Sequence, residues 1–415
     1  MISLIKHDCS NNYLMEILKK QENWPDHIII IGSGRWARVI IKELCNKVPL
    51  SVKLYIHSRH HAESINLWLK ELSTNRKFCI SSGWPPPSLP QGKIAAIIVN
   101  AAKDHSIALE WALENCSSVL VEKPIVPSEQ TLHQFITLAE KKKCFLAPAH
   151  VFLFAPYVEN FKNIVVNSDA ITSLSFDWSD PKAEIRYGEK KQYDAGLPVY
   201  ADWLPHIIPL IGVLVGGLPE SCEDIQIDKG GAAVKINLKV KKISCHINLE
   251  RNASQRRRVI RVISDNIPYE LDFSTEPGII RYKDITVSAG DNWGKEEGPL
   301  SQMLHSFLLQ SESSLVDSRL SLNPAIHTCK LIDEVQKKYL SDIMMWICSK
   351  LNRHTKIDEN IRYALTEILL NNSSISVHKI DHHLNLIEQY FHNPDAKNLL
   401  HIEEPFKFIN RIATS

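Results

Sequence analysis

His27-Ile28-Ile29-Ile30-Ile31-Gly32-Ser33-Gly34-Arg35-Trp36-Ala37 decides the fold. The run to Ile31 suits a strand buried on both faces of a parallel sheet. Gly32 to Ala37 then reads as a turn, and Val39 to Cys45 as the helix it opens. In such a turn the first glycine permits the tight reversal. The second lets a pyrophosphate come close to the backbone, where the helix N-terminal N–H groups can bind it. Ala37, small at the third position, keeps the helix close to the sheet. The strand–turn–helix context raises this G-x-G-x-x-A from a weak motif to a dinucleotide site.

The alternation continues on the C-terminal side. Val52 to Ile56, Ile94 to Val99, Val119 to Val121 and Cys144 to Pro148 read as strands. Ala62 to Leu72, Ile107 to Asn115 and Thr131 to Lys142 read as the helices between them. Strand alternating with helix over this length predicts an α/β Rossmann domain, a doubly wound parallel sheet over residues 27–150. Trp84-Pro85-Pro86-Pro87 is a rigid loop rather than an element. Beyond residue 150 the texture changes. Ile171 to Trp178, Ala233 to Val240, Ser244 to Glu250, Arg257 to Ser264 and Tyr269 to Phe273 alternate as half-covered strands do. They predict a second, α+β domain over 151–339 with a mostly antiparallel sheet, interrupted by an apolar helix from Leu204 to Leu214. Pro299 to Tyr339 is mostly helical. Residues 340–415 read as a helical C-terminal extension of several short helices. Residues 1–26 are an N-terminal extension in which Tyr13, Leu14, Ile17 and Leu18 would share a helix face.

Composition narrows the class of partner. The chain has 415 residues, 48 Lys+Arg against 47 Asp+Glu, and a net charge of +1. That balance offers no general attraction to nucleic acid or to an anionic membrane. Nine cysteines are scattered without a C-x-x-C pair, so a disulfide framework and a structural metal are not expected. The amino-terminal segment carries charges throughout, unlike a secretory signal. The longest apolar stretch, Ile207 to Gly217, is broken by Pro209 and too short to span a bilayer. A cytoplasmic protein acting on a small-molecule substrate is expected. Val259, Val262 and their neighbours suggest more apolar sheet surface than one layer of helices covers, hence a homo-oligomer.

Two further stretches carry chemistry. At the end of the second strand, Tyr55-Ile56-His57-Ser58-Arg59-His60 lacks the acidic residue that would bind an NAD ribose 2′-hydroxyl. Ser58 and Arg59 would instead hydrogen-bond and pair with a 2′-phosphate, which favours NADP. Val119-Leu120-Val121-Glu122-Lys123-Pro124 is a strand ending in Glu-Lys-Pro, with its charges at the carboxyl edge where α/β ligands sit.

With the Rossmann opening and the intervening Asn100-Ala101-Ala102-Lys103-Asp104-His105, this segment resembles the Gfo/Idh/MocA oxidoreductases (glucose–fructose oxidoreductase, inositol dehydrogenase, rhizopine catabolism). The resemblance covers residues 27–339. It implies that Lys123 contacts substrate and the nicotinamide ribose. It places Gly32, Ser33, Gly34, Arg35, Trp36, Ala37, Ser58, Arg59, Asn100, His105, Glu122 and Lys123 around the cofactor. In its second domain the family carries Asp, then His four residues on, at the start of an apolar helix. Asp202-Trp203-Leu204-Pro205-His206 matches that spacing, and i, i+4 side chains share a helix face. His206 could shuttle a proton near neutral pH, and Asp202 could orient the substrate or the imidazole.

The departures bear on the substrate. Leu204 stands where the family has glycine, with Pro205 after it. Asn100-Ala101-Ala102 replaces Thr-Pro-Asn, and Leu153 stands where an arginine precedes the Phe.

Two other clusters are solvated surfaces on the plainer reading. Arg256-Arg257-Arg258 with Arg261 lies in a strand, where alternation sends Arg256 and Arg258 to one face and Arg257 and Arg261 to the other. Either pair could hold an anionic substrate group, but an exposed basic face is the simpler expectation. His378, Asp381, His382 and His383 include an i, i+4 His pair without an identifiable third ligand, so no metal is expected.

The sequence thus predicts an NADP-dependent oxidoreductase. It would transfer hydride between the nicotinamide and a carbonyl or alcohol carbon of a small sugar- or cyclitol-like substrate. Lys123, His206 and Asp202 form the catalytic set. Two alternatives stand beside it: an NADPH-dependent imine reductase of natural-product (siderophore-like) biosynthesis, and a non-catalytic NADP(H) sensor. In all three the tail is structural or docks a protein partner.

Overall fold

The computed structural model describes residues 23–87, 91–166, 171–186, 189–190, 193–310, 316–351, 357–372 and 379–392. The amphipathic face expected at Tyr13, Leu14, Ile17 and Leu18 lies outside them, as does His378.

From the amino-terminal side the elements are β1 (His27–Ile31), α1 (Arg35–Lys47), β2 (Lys53–His57), α2 (Ala62–Glu71), β3 (Phe78–Ser81), β4 (Ile94–Ile98), α3 (His105–Asn115), β5 (Ser118–Val121), α4 (Glu129–Lys142) and β6 (Phe145–Pro148). The strands make one parallel sheet in the order β3-β2-β1-β4-β5-β6. This is the doubly wound order of dinucleotide-binding folds, with the strand order reversing at β1. The isoleucine run explains its position. Ile28 and Ile30 pack with Ile40, Ile41 and Leu44 of α1 on one face. Ile29 and Ile31 pack with Leu109 and Leu113 of α3 and Leu132 of α4 on the other. Only a central strand needs apolar residues on both faces. The short edge strand β3, with Cys79 exposed, escapes a reading by periodicity because it pairs only with β2.

The chain then runs through α5 (Pro156–Val166), β7 (Ile171–Pro181), β8 (Ile185–Arg186), β9 (Glu189–Lys190), α6 (Val199–Val215), β10 (Ser221–Asp228), β11 (Ala233–Val240), β12 (Ile243–Ala253), β13 (Arg257–Ser264), β14 (Ile267–Asp272), β15 (Ile279–Tyr282) and β16 (Ile285–Ser288). It ends in α7 (Pro299–Leu309), α8 (Asn323–Leu351), α9 (Glu359–Asn372) and α10 (Ile380–His392).

The molecule divides into two units whose limits differ from the sequence boundaries. The first runs to Val158 and takes in Asn292–Cys329. Met303, Leu304 and Phe307 of α7 complete the core on the α1 side of its sheet, so that helix belongs with the Rossmann fold rather than with the second domain. The second unit holds Glu159–Asp291 and the described residues from Lys330 onward, so the C-terminal helices are part of it.

The second unit is built on an eight-stranded sheet, order β10-β11-β12-β7-β13-β14-β15-β16, antiparallel except where β12 lies parallel to β7. One face carries Ile236 and Leu238, Ile247 and Leu249, Phe176 and Trp178, and Ile260 and Val262, all buried. The opposite face carries a polar ladder. His246 pairs with Asn237 at 2.8 Å, and Asn248 donates to Asp177 at 2.7 Å. Arg261 bridges Asp177 and Glu270, and Arg281 donates to Glu270 at 2.7 Å. Part of the apolar surface expected of this sheet is exposed, at Ile263 of β13 and at Ile285 and Val287 of β16. Val259 and Val262 are buried, at 2% and 0% exposure, and charged pairs occupy the outward register. Among the described residues no helix is long and apolar enough to cross a membrane.

Candidate functional site

The Gly-rich turn follows β1 directly. Gly32 has φ +141°, and a Cβ there would lie 2.7 Å from the carbonyl carbon and oxygen of Val99. No side chain fits between the turn and the end of β4. Gly34 is the opposite case: it is the N-cap of α1 with φ −69°, and no atom of the protein lies within 4 Å of its missing Cβ. No side chain caps α1, and its first turn holds no acidic residue. Its first N–H groups have no partner within the helix, the arrangement that suits an anion. Ala37 is fully buried in the core on that side of the sheet, as close helix–sheet packing requires.

At the end of β2 there is no carboxylate. His57 is buried, bonded through Nδ1 to Ser81 Oγ at 2.9 Å, and desolvation pulls its pKa below the ordinary imidazole value. Ser58 is also buried. Its hydroxyl lies 2.7 Å from Ser33 Oγ and accepts the His61 N–H at 3.0 Å. Ser58 thus ties the second strand to the glycine turn, and Arg59 is the exposed cation of this segment.

The loops after β4 and β5 are fastened together. His105 is 1% exposed; its Nδ1 lies 2.8 Å from the Pro124 carbonyl and its Nε2 3.2 Å from the Asn100 carbonyl. Burial lowers its pKa against the raising effect of those carbonyls. Its ring is thus a tie inside the protein. Asn100 is half-buried and donates to the Asp104 carbonyl at 3.3 Å. The Trp36 indole N–H donates to Glu122, which also accepts the Lys123 backbone N–H at 3.1 Å. The Glu-Lys-Pro segment is thereby joined to the Gly-rich turn. Arg35 and Lys123 are half-buried.

These residues fit a dinucleotide. The turn leaves open space where a Cβ would stand, the helix end is uncapped, and the segment after β2 carries an exposed arginine and no carboxylate.

The second candidate set lies in the other unit, on α6. That helix begins at Val199, five residues before the expected Leu204. Pro205 therefore lies in the helix interior, not the first turn, and cannot donate to the Ala201 carbonyl. Asp202 and His206 are half-buried one turn apart. Asp202 Oδ2 accepts from Arg251 Nη2 at 2.9 Å, with Arg251 only 2% exposed. Arg251 Nη1 donates to the Leu197 carbonyl at 2.7 Å and to the Tyr363 hydroxyl at 3.2 Å, and Tyr193 covers the guanidinium at 4.6 Å. His206 packs against Trp178, ring centroids 5.8 Å apart.

Arg258 lies on the same face of the sheet. Its guanidinium sits over Trp178 at 4.8 Å and Trp203 at 5.2 Å and pairs with Asp180 at 2.7 Å. The arginine cluster is therefore not the exposed basic strand face expected. Arg257 is exposed, but Arg258 is buried in the inward register with Ile260 and Val262, and Arg256 stands 3.5 Å from Asp180. Arg251 is the site neighbour that sequence reading missed; Arg258 was singled out there, with an exposed strand face as the simpler expectation. Both occupy inward positions of an alternating strand, after Cys245, Ile247 and Leu249 in one and before Ile260 and Val262 in the other. A charge at an inward register was the available signal. Among the described residues no group of three or more His, Cys, Asp or Glu side chains could hold a metal ion.

No family model matches the chain, and no curated protein sequence does. Solved structures do. UDP-N-acetylglucosamine 3-dehydrogenase GnnA from Acidithiobacillus ferrooxidans is 16% identical over 75% of this chain and 95% of its own, with a TM-score of 0.58. KijD10, a 3-ketoreductase from Actinomadura kijaniata in complex with TDP-benzene and NADP, is 14% identical over 75% and 97%, with a TM-score of 0.61.

The chain has the Gfo/Idh/MocA fold.

Biliverdin reductase from Synechocystis sp. PCC 6803, solved with biliverdin and NADP+, shares that fold at 13% identity over 74% of this chain and 97% of its own, with a TM-score of 0.56. A quarter of the present chain has no counterpart in these Gfo/Idh/MocA-fold structures.

Proposed function

We propose that the chain is an NADP-dependent oxidoreductase acting on a carbonyl or alcohol carbon of a small polar, sugar- or cyclitol-like substrate. The observation that carries the reading is the glycine turn. Gly32 lies tight against Val99, while Gly34 leaves its side-chain volume empty above an uncapped helix end. A turn with a merely structural task has no reason to keep that second volume clear.

In this reading the first N–H groups of α1 bind the pyrophosphate, and Arg59 pairs with the 2′-phosphate. His105 holds Asn100 and Pro124 in place from inside, and Trp36 does the same for Glu122. When bound, NADPH supplies the hydride. Lys123 donates a hydrogen bond to the reacting oxygen and stabilises the charge that gathers there. His206 delivers the proton to that oxygen in reduction and takes it back in oxidation. Such acid–base help contributes about 10²–10⁴ in rate. Asp202, held by Arg251, orients a substrate hydroxyl or the imidazole.

Both GnnA and KijD10 bear names that state chemistry at a sugar or keto carbon, and KijD10 and biliverdin reductase were solved with NADP. Those names support the cofactor and the reaction class.

The experiment is a titration of NADPH and NADH against the purified chain by fluorescence. Turnover assays on a panel of hexoses, inositols, nucleotide-activated sugars and their keto forms follow. NADPH binding at least tenfold tighter than NADH, with turnover of one member of the panel, is the expected result. Binding of neither nucleotide would sink the reading, and binding without turnover would favour the sensor.

A further inference from the structure

Asp202 does not meet its arginine alone. Arg251 is fixed from three directions within one unit: by Asp202 on α6, by the Leu197 carbonyl just before that helix, and by the Tyr363 hydroxyl on α9. Behind Tyr363, one helical turn along α9, Glu367 is 1% exposed and accepts the Tyr339 hydroxyl of α8 at 2.6 Å. Tyr339 in turn packs against Tyr200 of α6, centroids 5.0 Å apart. The chain of contacts therefore leaves α6 at Asp202, passes through Arg251, Tyr363, Glu367 and Tyr339, and returns to α6 at Tyr200.

The backbone is shaped for this closure. Between β10 and β11, Gly230 has φ +65° and Gly231 φ +91°. A Cβ on Gly230 would lie 2.1 Å from the Asn360 carbonyl oxygen at the start of α9, and one on Gly231 would lie 2.0 Å from the Tyr339 hydroxyl. The two glycines let both C-terminal helices approach to hydrogen-bonding distance of the network.

We propose that Arg251 is the positioning residue for Asp202 and that Tyr363 and Glu367 of α9 complete its clamp, so that the C-terminal helices are a working part of the site. This rests on the reading of Asp202 as the group that orients the substrate or His206. Arginine suits the task because its planar fork carries several donors in fixed directions and never loses its charge. One arm holds the carboxylate; the other is held by a carbonyl and a hydroxyl. Without the hydroxyl the fork can swing, and the carboxylate swings with it. Of the two roles expected for the tail, structural or partner-docking, α9 thereby takes the structural one.

The test uses the full chain and four proteins: wild type, Tyr363→Phe, Asp202→Asn and the double variant. The substrate is the carbonyl compound that wild type reduces fastest in the panel above. Tyr363→Phe should lower kcat at least tenfold, the loss of one hydrogen bond to a charged group, and leave the NADPH Kd within about twofold. On the Asp202→Asn background the same change should cost less than about twofold, because the group it positions is gone. Multiplicative losses would overturn the proposal and reduce Tyr363 to packing. Urea midpoints of the four proteins give a second cycle that needs no turnover. Coupling in that cycle without wild-type turnover of any carbonyl would sink the oxidoreductase reading and leave the clamp. Turnover with no coupling in either cycle would sink the clamp and leave the oxidoreductase.

Discussion

Glu367→Gln should make the protein more stable at pH 8 than the wild type, relative to their difference at pH 5. The native Glu367 carboxyl is pushed up from 4.5 to about 7, chiefly by burial, which Tyr339, Arg251 and Tyr363 only partly offset. In the unfolded chain it titrates near the ordinary value. Between the two pKa values the native state keeps a proton that the unfolded state has released, so stability falls as pH rises through that window and levels off above about pH 7. From pH 5 to pH 8 the wild type loses roughly 2–3 kcal/mol from this group alone. Glutamine is isosteric, can still accept from Tyr339, and has no proton to release, so the variant escapes the loss. Taking the difference between the two proteins cancels every other titrating group, including His57 and His105, whose lowered values act in the opposite pH direction. Urea unfolding followed by tryptophan fluorescence at half-unit pH steps would show it. Curves that stay parallel between pH 5 and pH 8 would refute the reasoning, since Glu367 would then titrate alike in both states.

Other expectations follow from the same geometry. Gly34→Ala should leave the melting temperature within about one degree, because its Cβ meets nothing, and weaken NADPH at least tenfold by filling the cradle; calorimetry and titration read the two effects separately. Gly32→Ala should instead destabilise by several degrees as well, since φ +141° and the Val99 carbonyl both oppose a side chain. Arg59→Ala should erase the preference for NADPH over NADH; one charge-assisted contact contributes about 1.5–3 kcal/mol, and an unchanged ratio would move the 2′-phosphate site elsewhere. His206→Ala should lower kcat by about two to four orders of magnitude with the NADPH Kd unchanged; equal losses in both would mean that His206 supports the fold rather than the proton transfer.

The polar face of the second sheet changes what can be asked of it. Five cross-strand pairs carry hydrogen bonds or ion pairs along its outward register, from Asn237 and His246 to Glu270 and Arg281. Exposed ion pairs of this kind contribute little to stability individually, median about 0–1 kcal/mol, but a face laid out this way does not shed water as an apolar one would.

The cofactor half of the protein was legible in its sequence because its signals are local. A central parallel strand must be apolar on both faces, and Ile28 to Ile31 are. A turn that reverses against another strand must begin with glycine, and Gly32 does. The Asp202–His206 spacing was local too, since a helix presents i and i+4 together whatever surrounds it. Tertiary structure alone decided the rest. Arg251 stands in the sequence only as a charge at an inward register of a strand; it becomes a brace because α6 brings Asp202 and α9 brings Tyr363 to meet it, the latter 112 residues later. Arg258 read more simply as surface for the same reason, and no sequence signal marked Glu367. Helix and strand periods say which residues share a face. They do not say what will cover that face, and the energy of a buried charge is set almost entirely by the partner that covers it.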